Sequence, residues 1–340
     1  MASFLLAEAA MRRPLHALFA LPLLAAAACG PKESPDVALF RQAIPSSDDV
    51  KVTDPTGNGA ATTTQAAPGV VGQAPSVQYA KLYKLTRNLY DVVNYGSAAI
   101  LGGVWLVAHT APTTIDDNEA IWGPGSEPLH PAEYRLRVSK VAEDTYDWVW
   151  EGRAKGTQEA FRAVIKGKGY ADRDARHGTG DFMIDFDTAN DLDGARLNGE
   201  NESGTIAIEY DIRGAPILGG PRDITVRSTP SQKDERFVLR ITRGEQGQGG
   251  SVDLALHGDT DDTKKTLPEE VVLKSRFRGD GAGRSDVKMS GGDIPGGLVV
   301  DMSECWSKTF ERSYYTDSAN IEATTGDPAV CAFTDHAALP

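Results

Sequence analysis

The chain is poor in the residues that most often carry catalysis or bind metals. Its 340 residues include three cysteines and six histidines, and no two histidines lie at a His-x-x-x-His or similar ligand spacing. The sequence also lacks a Gly-x-Ser-x-Gly nucleophile motif and a glycine-rich phosphate loop that opens a helix. We therefore predict no catalytic, cofactor-binding or metal-binding residues, and an enzyme with scattered active-site residues is the minor alternative.

Positive charge is also scarce. Lysine and arginine total 35 against 48 aspartates and glutamates, which gives a formal net charge of −13. Such a surface repels nucleic acid and anionic lipid headgroups. We predict no nucleic-acid partner, and attachment to a membrane would have to depend on acyl chains rather than on electrostatics.

The apolar segment near the N-terminus is shorter than the roughly 20 residues that span a bilayer. It follows two arginines, runs from Leu15 to Leu24, and ends in alanines directly before Cys29. A basic start, a short apolar stretch and small residues before a cysteine resemble the signal peptide of a bacterial lipoprotein. The resemblance implies that residues 1–28 are removed and that Cys29 carries the lipid.

This signal implies an address in the bacterial cell envelope, with the membrane as a partner through the lipid anchor. Gly30 stands where enteric bacteria place the aspartate that retains lipoproteins in the inner membrane. We therefore expect the outer membrane, with the folded part in the periplasm or at the cell surface. Glu8 is unusual in the basic start of a signal peptide, so Met11 is an alternative to Met1 as the first residue.

Residues 29–76 are predicted to be the lipidated cysteine and a flexible tether. They are rich in proline and contain one aromatic residue, Phe40, so they offer little apolar surface to offset the entropy of ordering. As a flexible coil the tether would average about 40 Å from end to end.

Residues 77–125 are predicted to be a helical block that packs on a sheet. Leu82, Leu85 and Leu89 recur at helical spacing, and the second apolar run, Ala98–Ala108, fits a buried helical segment or a strand. Pro112 ends that run.

Residues 126–303 alternate between apolar and charged side chains, with glycine- and aspartate-rich breaks at hairpin intervals. We predict a mainly β protein, an antiparallel meander of about ten strands that forms an up-and-down barrel or a strongly curved sheet. The alternating apolar residues are Tyr134, Leu136, Val138, Tyr146, Trp148, Trp150, Phe161, Ala163, Ile165, Phe182, Ile184, Phe186, Ile206, Ile208, Tyr210, Ile212, Ile224, Val226, Phe237, Leu239, Ile241, Val252, Leu254, Leu256, Val271, Leu273 and Phe277.

An internal repeat supports the meander. Residues 235–259 align without gaps to residues 269–293, and Gly-x-Gly precedes the return strand in both copies. The alternation predicts that one set of side chains points into a core and the other faces solvent. The inward set includes Leu239, Leu254 and Leu273, and the outward set includes Arg240, Asp253 and Lys274.

Residues 304–340 are predicted to be a tail stapled by a disulfide between Cys305 and Cys331. These are the two cysteines left after Cys29, and an even pair in an exported protein favours a bond. Such a bond contributes about 3 kcal/mol by loop-closure entropy. A zinc site with His336 is the weaker alternative, because no second cysteine pair or histidine accompanies it.

One acidic segment partly matches a calcium-binding loop. Asp191, Asp193, Gly194 and Glu200 match four positions of that loop, but Ala189 occupies the first position and a strand precedes it. We favour a polar hairpin loop there, and the same holds for the run of aspartates from residue 259 to 262.

The function that best fits these features is a structural or interaction module on a lipid anchor. The alternative is a carrier of an apolar ligand such as a lipid, held in a barrel cavity. An outer-membrane β-barrel is less favoured, because the strands lack aromatic girdles and the chain does not finish on a strand. The cavity of the carrier alternative would be lined by Trp148, Trp150, Phe161, Phe182 and Phe186.

Overall fold

The computed structural model describes residues 35–47, 50–52, 79–170, 178–193, 203–212, 220–231, 234–245, 247–260 and 267–339. Cys29, the predicted signal peptide and much of the predicted tether lie outside these residues, so lipidation stays a prediction. Gly194 and Glu200 of the acidic segment also lie outside them.

The described part of the chain is mainly β, as predicted, with strands that follow one another in the sheet in chain order. Every neighbouring pair is antiparallel, which makes the sheet a meander. The helices are α1 (Pro35–Gln42), α2 (Lys81–Ala108) and α3 (Phe186–Asp193), with a 3-10 turn at Pro328–Val330. The strands are β1 (Thr114–Ile115), β2 (Glu119–Gly125), β3 (Ala132–Ala142), β4 (Thr145–Ala154), β5 (Arg162–Tyr170), β6 (Thr179–Asp185), β7 (Thr205–Asp211), β8 (Arg222–Thr229), β9 (Arg236–Arg243), β10 (Gly250–Gly258), β11 (Glu269–Phe277), β12 (Gly283–Gly291), β13 (Val299–Trp306), β14 (Arg312–Asp317) and β15 (Thr325–Gly326).

Two parts of the sheet prediction need correction. The sheet has 15 strands rather than about ten, and it is open, because β1 and β15 are its two edges among the described residues. The additional strands lie at its two ends, in the predicted helical block and in the predicted tail. They lack apolar alternation because β2 ends in Gly123-Pro124-Gly125 and β13 buries Ser303 and Glu304. Phe186, predicted as a strand residue, begins α3.

One face of the sheet is apolar and covered. Leu239, Leu254 and Leu273 have exposed fractions of 0–2% and belong to one continuous core with α2, as the alternation predicts. On the opposite face Arg240 is exposed, while Lys274 is half-buried. We call these two sides the apolar face and the polar face.

The internal repeat corresponds to two hairpins, β9–β10 and β11–β12. In the first hairpin Arg240 pairs with Asp253, and in the second Lys274 pairs with Asp286. The return strands therefore correspond with a shift of one residue relative to the ungapped alignment, because the second turn is one residue shorter.

α2 lies across the apolar face and joins the two ends of the sheet. Its first turn is at β13, where the carboxylate of Glu304 accepts a hydrogen bond from the Leu82 amide. Two residues beyond its C-terminal end, the Thr110 carbonyl accepts a hydrogen bond of 3.0 Å from the Trp122 indole of β2. By length and composition α2 could cross a membrane, and 44% of its most apolar 18-residue window is buried within the molecule.

The segment from residue 35 to residue 52 differs from the flexible tether predicted there. Phe40 of α1 is 3% exposed and packs edge-on against Tyr146, with ring centroids 5.7 Å apart. Gly169 lets this segment approach β5, since a Cβ at that position would lie 1.8 Å from the Ala43 carbonyl oxygen. The prediction followed the high proline content and overlooked a small set of apolar residues that packs on the sheet: Val37, Phe40, Ile44, Val50 and Val52.

Candidate functional site on the polar face

The register of the strands places one residue from each of β2 to β14 in a single row across the polar face. Neighbours in such a row are directly opposite on adjacent strands, with Cβ atoms about 4.5–5.5 Å apart, so their charges interact. We call it the charged row. Its members are Glu119, Ser139, Asp147, Lys168, Asp181, Glu209, Thr225, Arg240, Asp253, Lys274, Asp286, Ser303 and Thr316.

Over β4–β9 this face holds an open trough of about 940 Å³. The charged row from Asp147 to Arg240 runs through it. A second row beside it places Met183 and Ala207 between two exposed cations, Lys166 and Arg227. The trough therefore presents carboxylates and cations close together, around a short apolar strip.

Asp181 in the trough and Asp253, the member of the charged row on β10 beside it, are in an unfavourable environment for their charge. Desolvation raises the pKa of Asp181, and although Lys168 lowers it, Glu209 and Asp147 raise it further. Desolvation likewise raises the pKa of Asp253, against the opposing effect of Lys274 and Arg240. Hydrogen-bond donors or positive charge supplied by a ligand would relieve this cost.

Ion pairs organise one wall of the trough. The Arg240 guanidinium binds Asp223 with two hydrogen bonds, one of them 3.0 Å long from Nε to Oδ1. These contacts raise the pKa of Arg240, first through the hydrogen bond and then through the charge of Asp223. Lys168 and Asp147 are 4.0 Å apart on the opposite side. Such exposed pairs contribute little to stability, which leaves them available for a ligand.

The apolar face beneath the trough is packed. Trp148 and Phe182 are 0% and 1% exposed, with ring centroids 6.0 Å apart, and Trp150 is 1% exposed. Gly167 accommodates the Trp148 ring, since a Cβ there would lie 2.6 Å from it. The side chains predicted to line a cavity are therefore core residues in this structure.

Phe161 is the exception among the side chains predicted for the cavity. It is half-buried and lies between two guanidinium groups, Arg135 at 4.0 Å and Arg153 at 4.4 Å from the ring centroid. Arg135 in turn pairs with the buried Glu151 at 2.7 Å. Alternation misplaced Phe161 because β5 begins only at the next residue.

At the other end, the polar face is covered by the tail. Residues 327–339 lie over β11–β14, and we call this region the strapped end. The predicted Cys305–Cys331 disulfide is present, with Cα atoms 5.5 Å apart. Arg284 is fully buried under the tail and donates to the carbonyls of Phe333 and Thr334 over 3.2 Å and 2.9 Å.

Most of the other hydrogen bonds of the tail also use its main chain. Lys274 donates to the Ala338 carbonyl over 2.7 Å, and the Ala337 amide donates to Asp286 over 2.8 Å. Arg276 donates to the Asp335 carbonyl. The tail is thus bound largely through its main chain, by cations at its carbonyls and a carboxylate at an amide.

The candidate metal ligands have other partners in the structure. The disulfide uses both cysteines near His336, whose Nδ1 lies 2.6 Å from the Arg284 guanidinium. Asp191 pairs with Arg162 at 3.1 Å, and the Asp193 carboxylate lies 3.6 Å from Nδ1 of His130. Within the described residues no group of three or more histidine, cysteine, aspartate or glutamate side chains is arranged to hold a metal ion.

A separate polar cluster around Glu304 binds the start of α2 to the strapped end. The buried Glu304 accepts from Arg312 as well as from the Leu82 amide, and Arg312 also donates to Glu322 over 2.7 Å. Hydrogen bonds from Lys81 and Arg312 lower the pKa of Glu322 despite its burial. These groups stabilise the start of α2 rather than form an open site.

Comparison with known proteins gives no family. No protein-family model, no curated protein and no solved structure matches this chain. Function is therefore inferred from the trough. The sequence alone did not predict the trough, because a row of side chains across a sheet depends on strand register. The alternation of charge along β5, β6 and β7 was the available signal.

Proposed function

We propose that this chain is a lipid-anchored protein of the bacterial cell envelope whose β domain is an interaction module that binds its partner in the trough. The basic-apolar-cysteine pattern that ends at Cys29 supports the anchor. The observation that carries the binding role is the contrast between the two faces of the sheet. The apolar face is packed, whereas the polar face is open over β4–β9.

The size of the trough supports binding. Its volume of about 940 Å³ is within the range of ligand sites, roughly 300–1,000 Å³. The packed Trp148 and Phe182 beneath it give a rigid floor, which limits the ordering cost of binding. The same packing gives no support to the alternative of an apolar-ligand carrier, which would need those side chains to separate.

We further propose that the sheet is strongly curved around α2. The 28 residues of α2 span about 42 Å at roughly 1.5 Å per residue. In a flat sheet, β2 and β13 would be separated by 11 strand spacings of about 4.8 Å, or about 53 Å. The contact of α2 with β13, and the hydrogen bond from Trp122 of β2 to Thr110 just beyond α2, are therefore easier to satisfy when the sheet bends toward the helix.

The anchor is tested by replacing Cys29 with serine. We expect the variant to leave the membrane fraction and to lose incorporation of a fatty-acid probe. Cys331→Ser is the matched control and should remain membrane-bound and labelled. Unchanged labelling of Cys29→Ser would contradict the proposed anchor.

The binding role is tested by protection of the trough in cells. Met183→Cys places a thiol in the trough, and Leu298→Cys places one at a position that is 58% exposed outside it. We expect a membrane-permeant maleimide to label Met183→Cys more slowly in cells than after purification, while Leu298→Cys reacts equally in both. Equal labelling of Met183→Cys in the two conditions would refute an occupied trough.

A further inference from the structure

We infer that the trough binds an extended polypeptide segment of a partner protein through the partner's main chain. This inference rests on the proposed function and names the chemistry of the partner. Its basis is that the polar face already binds the main chain of one segment, the tail of this chain, at the strapped end.

The tail shows what the polar face recognises. Arg284, Arg276 and Lys274 all donate to main-chain carbonyls of the tail, and Asp286 accepts from a main-chain amide. Two contacts depend on a side-chain ring of the tail, Arg276 over Phe333 at 5.1 Å and the Arg284 guanidinium 2.6 Å from Nδ1 of His336. Since most of the hydrogen bonds are to the main chain, the face can bind segments of different sequence.

The trough repeats the arrangement that binds the tail. At the strapped end the charged row places Lys274 opposite Asp286, so that the cation binds a carbonyl and the carboxylate binds an amide of the same segment. In the trough the same row places Lys168 opposite Asp181 on β5 and β6. Both pairs join a cation on one strand to a carboxylate on the following strand.

The charge of the trough favours a main chain over a polyanion. Asp181 and Glu209 are directly opposite each other, next to Lys168, so the site presents acceptors as well as donors. An extended peptide offers carbonyl and amide groups in alternation and complements both. A polyanion would be repelled by the two carboxylates.

The first experiment selects peptides on the whole protein. A phage-displayed library of random dodecapeptides is panned against the purified mature chain with its disulfide intact, and enriched peptides are synthesised with a fluorophore. Ala207→Trp fills the trough, so the peptide can no longer form its charge-assisted hydrogen bonds there. We expect binding to fall about tenfold or more. Leu298→Trp, outside the trough, should bind as the unmodified protein does.

Two further measurements show whether the main chain is recognised. N-methylation of alternate residues in an enriched peptide removes amide donors, and we expect an affinity loss of about tenfold or more. The double variant Lys168→Glu/Asp181→Lys reverses one pair without filling the trough, and should weaken the same peptides. It replaces surface side chains and therefore provides an independent test if Ala207→Trp does not fold.

The outcomes separate the inference from the proposed function. If envelope glycans on an array bind the protein and are lost with Ala207→Trp, while no peptide depends on the trough, the peptide inference is wrong and the interaction module stands. Peptides that bind equally to all variants, or that tolerate N-methylation, also overturn the inference. Equal labelling of Met183→Cys in cells and in solution would overturn the proposed function itself.

Discussion

The trough and the strapped end belong to the same polar face and share one charged row, yet their side chains are in different environments. In the trough Lys166 and Arg227 are exposed. At the strapped end Arg284 and Asp286 are 0% and 2% exposed. Once the tail covers the face, every buried charge needs a partner, and the structure supplies carbonyls, amides and opposite charges there. At the strapped end a polypeptide segment therefore covers part of the polar face and supplies partners to its buried charges.

The largest difference should appear when one arginine is removed from each region. Arg284→Ala leaves Asp286 and two tail carbonyls without their buried partner, so we expect a loss of about 3–5 kcal/mol of unfolding free energy. Arg227→Ala in the trough should change it by about 0.5 kcal/mol or less. Urea denaturation of both variants measures this, and equal effects would contradict the distinction between the regions.

The apolar core beneath the two regions should show no such difference. Leu239 is on β9 at the edge of the trough, and Leu273 is on β11 under the tail, with exposed fractions of 1% and 0%. We expect Leu239→Ala and Leu273→Ala each to cost about 2–5 kcal/mol, because each leaves a cavity. Denaturation measures both costs, and Val141→Ala, at a residue 53% exposed, is the control. A clearly smaller cost for one leucine would show that the core is not continuous.

The disulfide should stabilise the strapped end without affecting the trough. Replacing Cys305 and Cys331 together with alanine removes a link across a sequence separation of 26 residues, and should cost about 3 kcal/mol. Maleimide labelling of Met183→Cys in the same background should not change. Thiol counting on denatured, unreduced protein gives an independent check, and free Cys305 and Cys331 thiols would contradict the bond.

The smallest effect concerns pH, and its sign should differ between the regions. Burial opposes the charge of Asp317, but the main-chain amides of Glu322 and Ile321 outweigh it and lower its pKa. Asp317 therefore contributes stability above its ordinary pKa, about 3.9, and this is lost as pH falls through the lowered value. Asp317→Asn should weaken the protein at neutral pH and flatten its loss of stability in acid.

Asp181 in the trough should behave in the opposite way. Its pKa is raised, so its charged form disfavours folding, and stability is lost as pH rises through the raised value. Asp181→Asn should leave stability at neutral pH unchanged or slightly higher. Urea denaturation at pH 7 and at about pH 3, below the ordinary aspartate pKa of about 3.9, measures both variants. The same sign for both would show that the two regions do not differ electrostatically.

The sequence predicted the features that depend on local pattern. Alternation identified β3 to β11 because their inward positions are apolar, as at Leu254, and the internal repeat identified β12. Cysteine parity identified the pairing of Cys305 with Cys331. The strands at the ends were missed because inward positions there are polar, as at Glu304. Polar residues in those positions are satisfied by distant partners, which no local pattern reveals.

The candidate site was beyond prediction for a related reason. Lys168 and Asp181 become neighbours only through the pairing of β5 with β6, whose connection lies partly outside the described residues. The ungapped repeat alignment also concealed the correspondence of Asp253 with Asp286, because the two turns differ by one residue. Register, rather than composition, assembles the charged row.

The capping of α2 by Glu304 has a consequence for the order in which the chain acquires its structure. The amide of Leu82 donates its hydrogen bond to a carboxylate that lies 222 residues further along the chain. A chain synthesised from its N-terminus therefore presents the apolar side of α2 well before β13 is made. Contacts of such sequence separation slow folding and prolong exposure of apolar surface. We expect the newly made protein to depend on chaperones until the last strands are complete, and truncation before β13 to cause aggregation rather than a smaller folded domain.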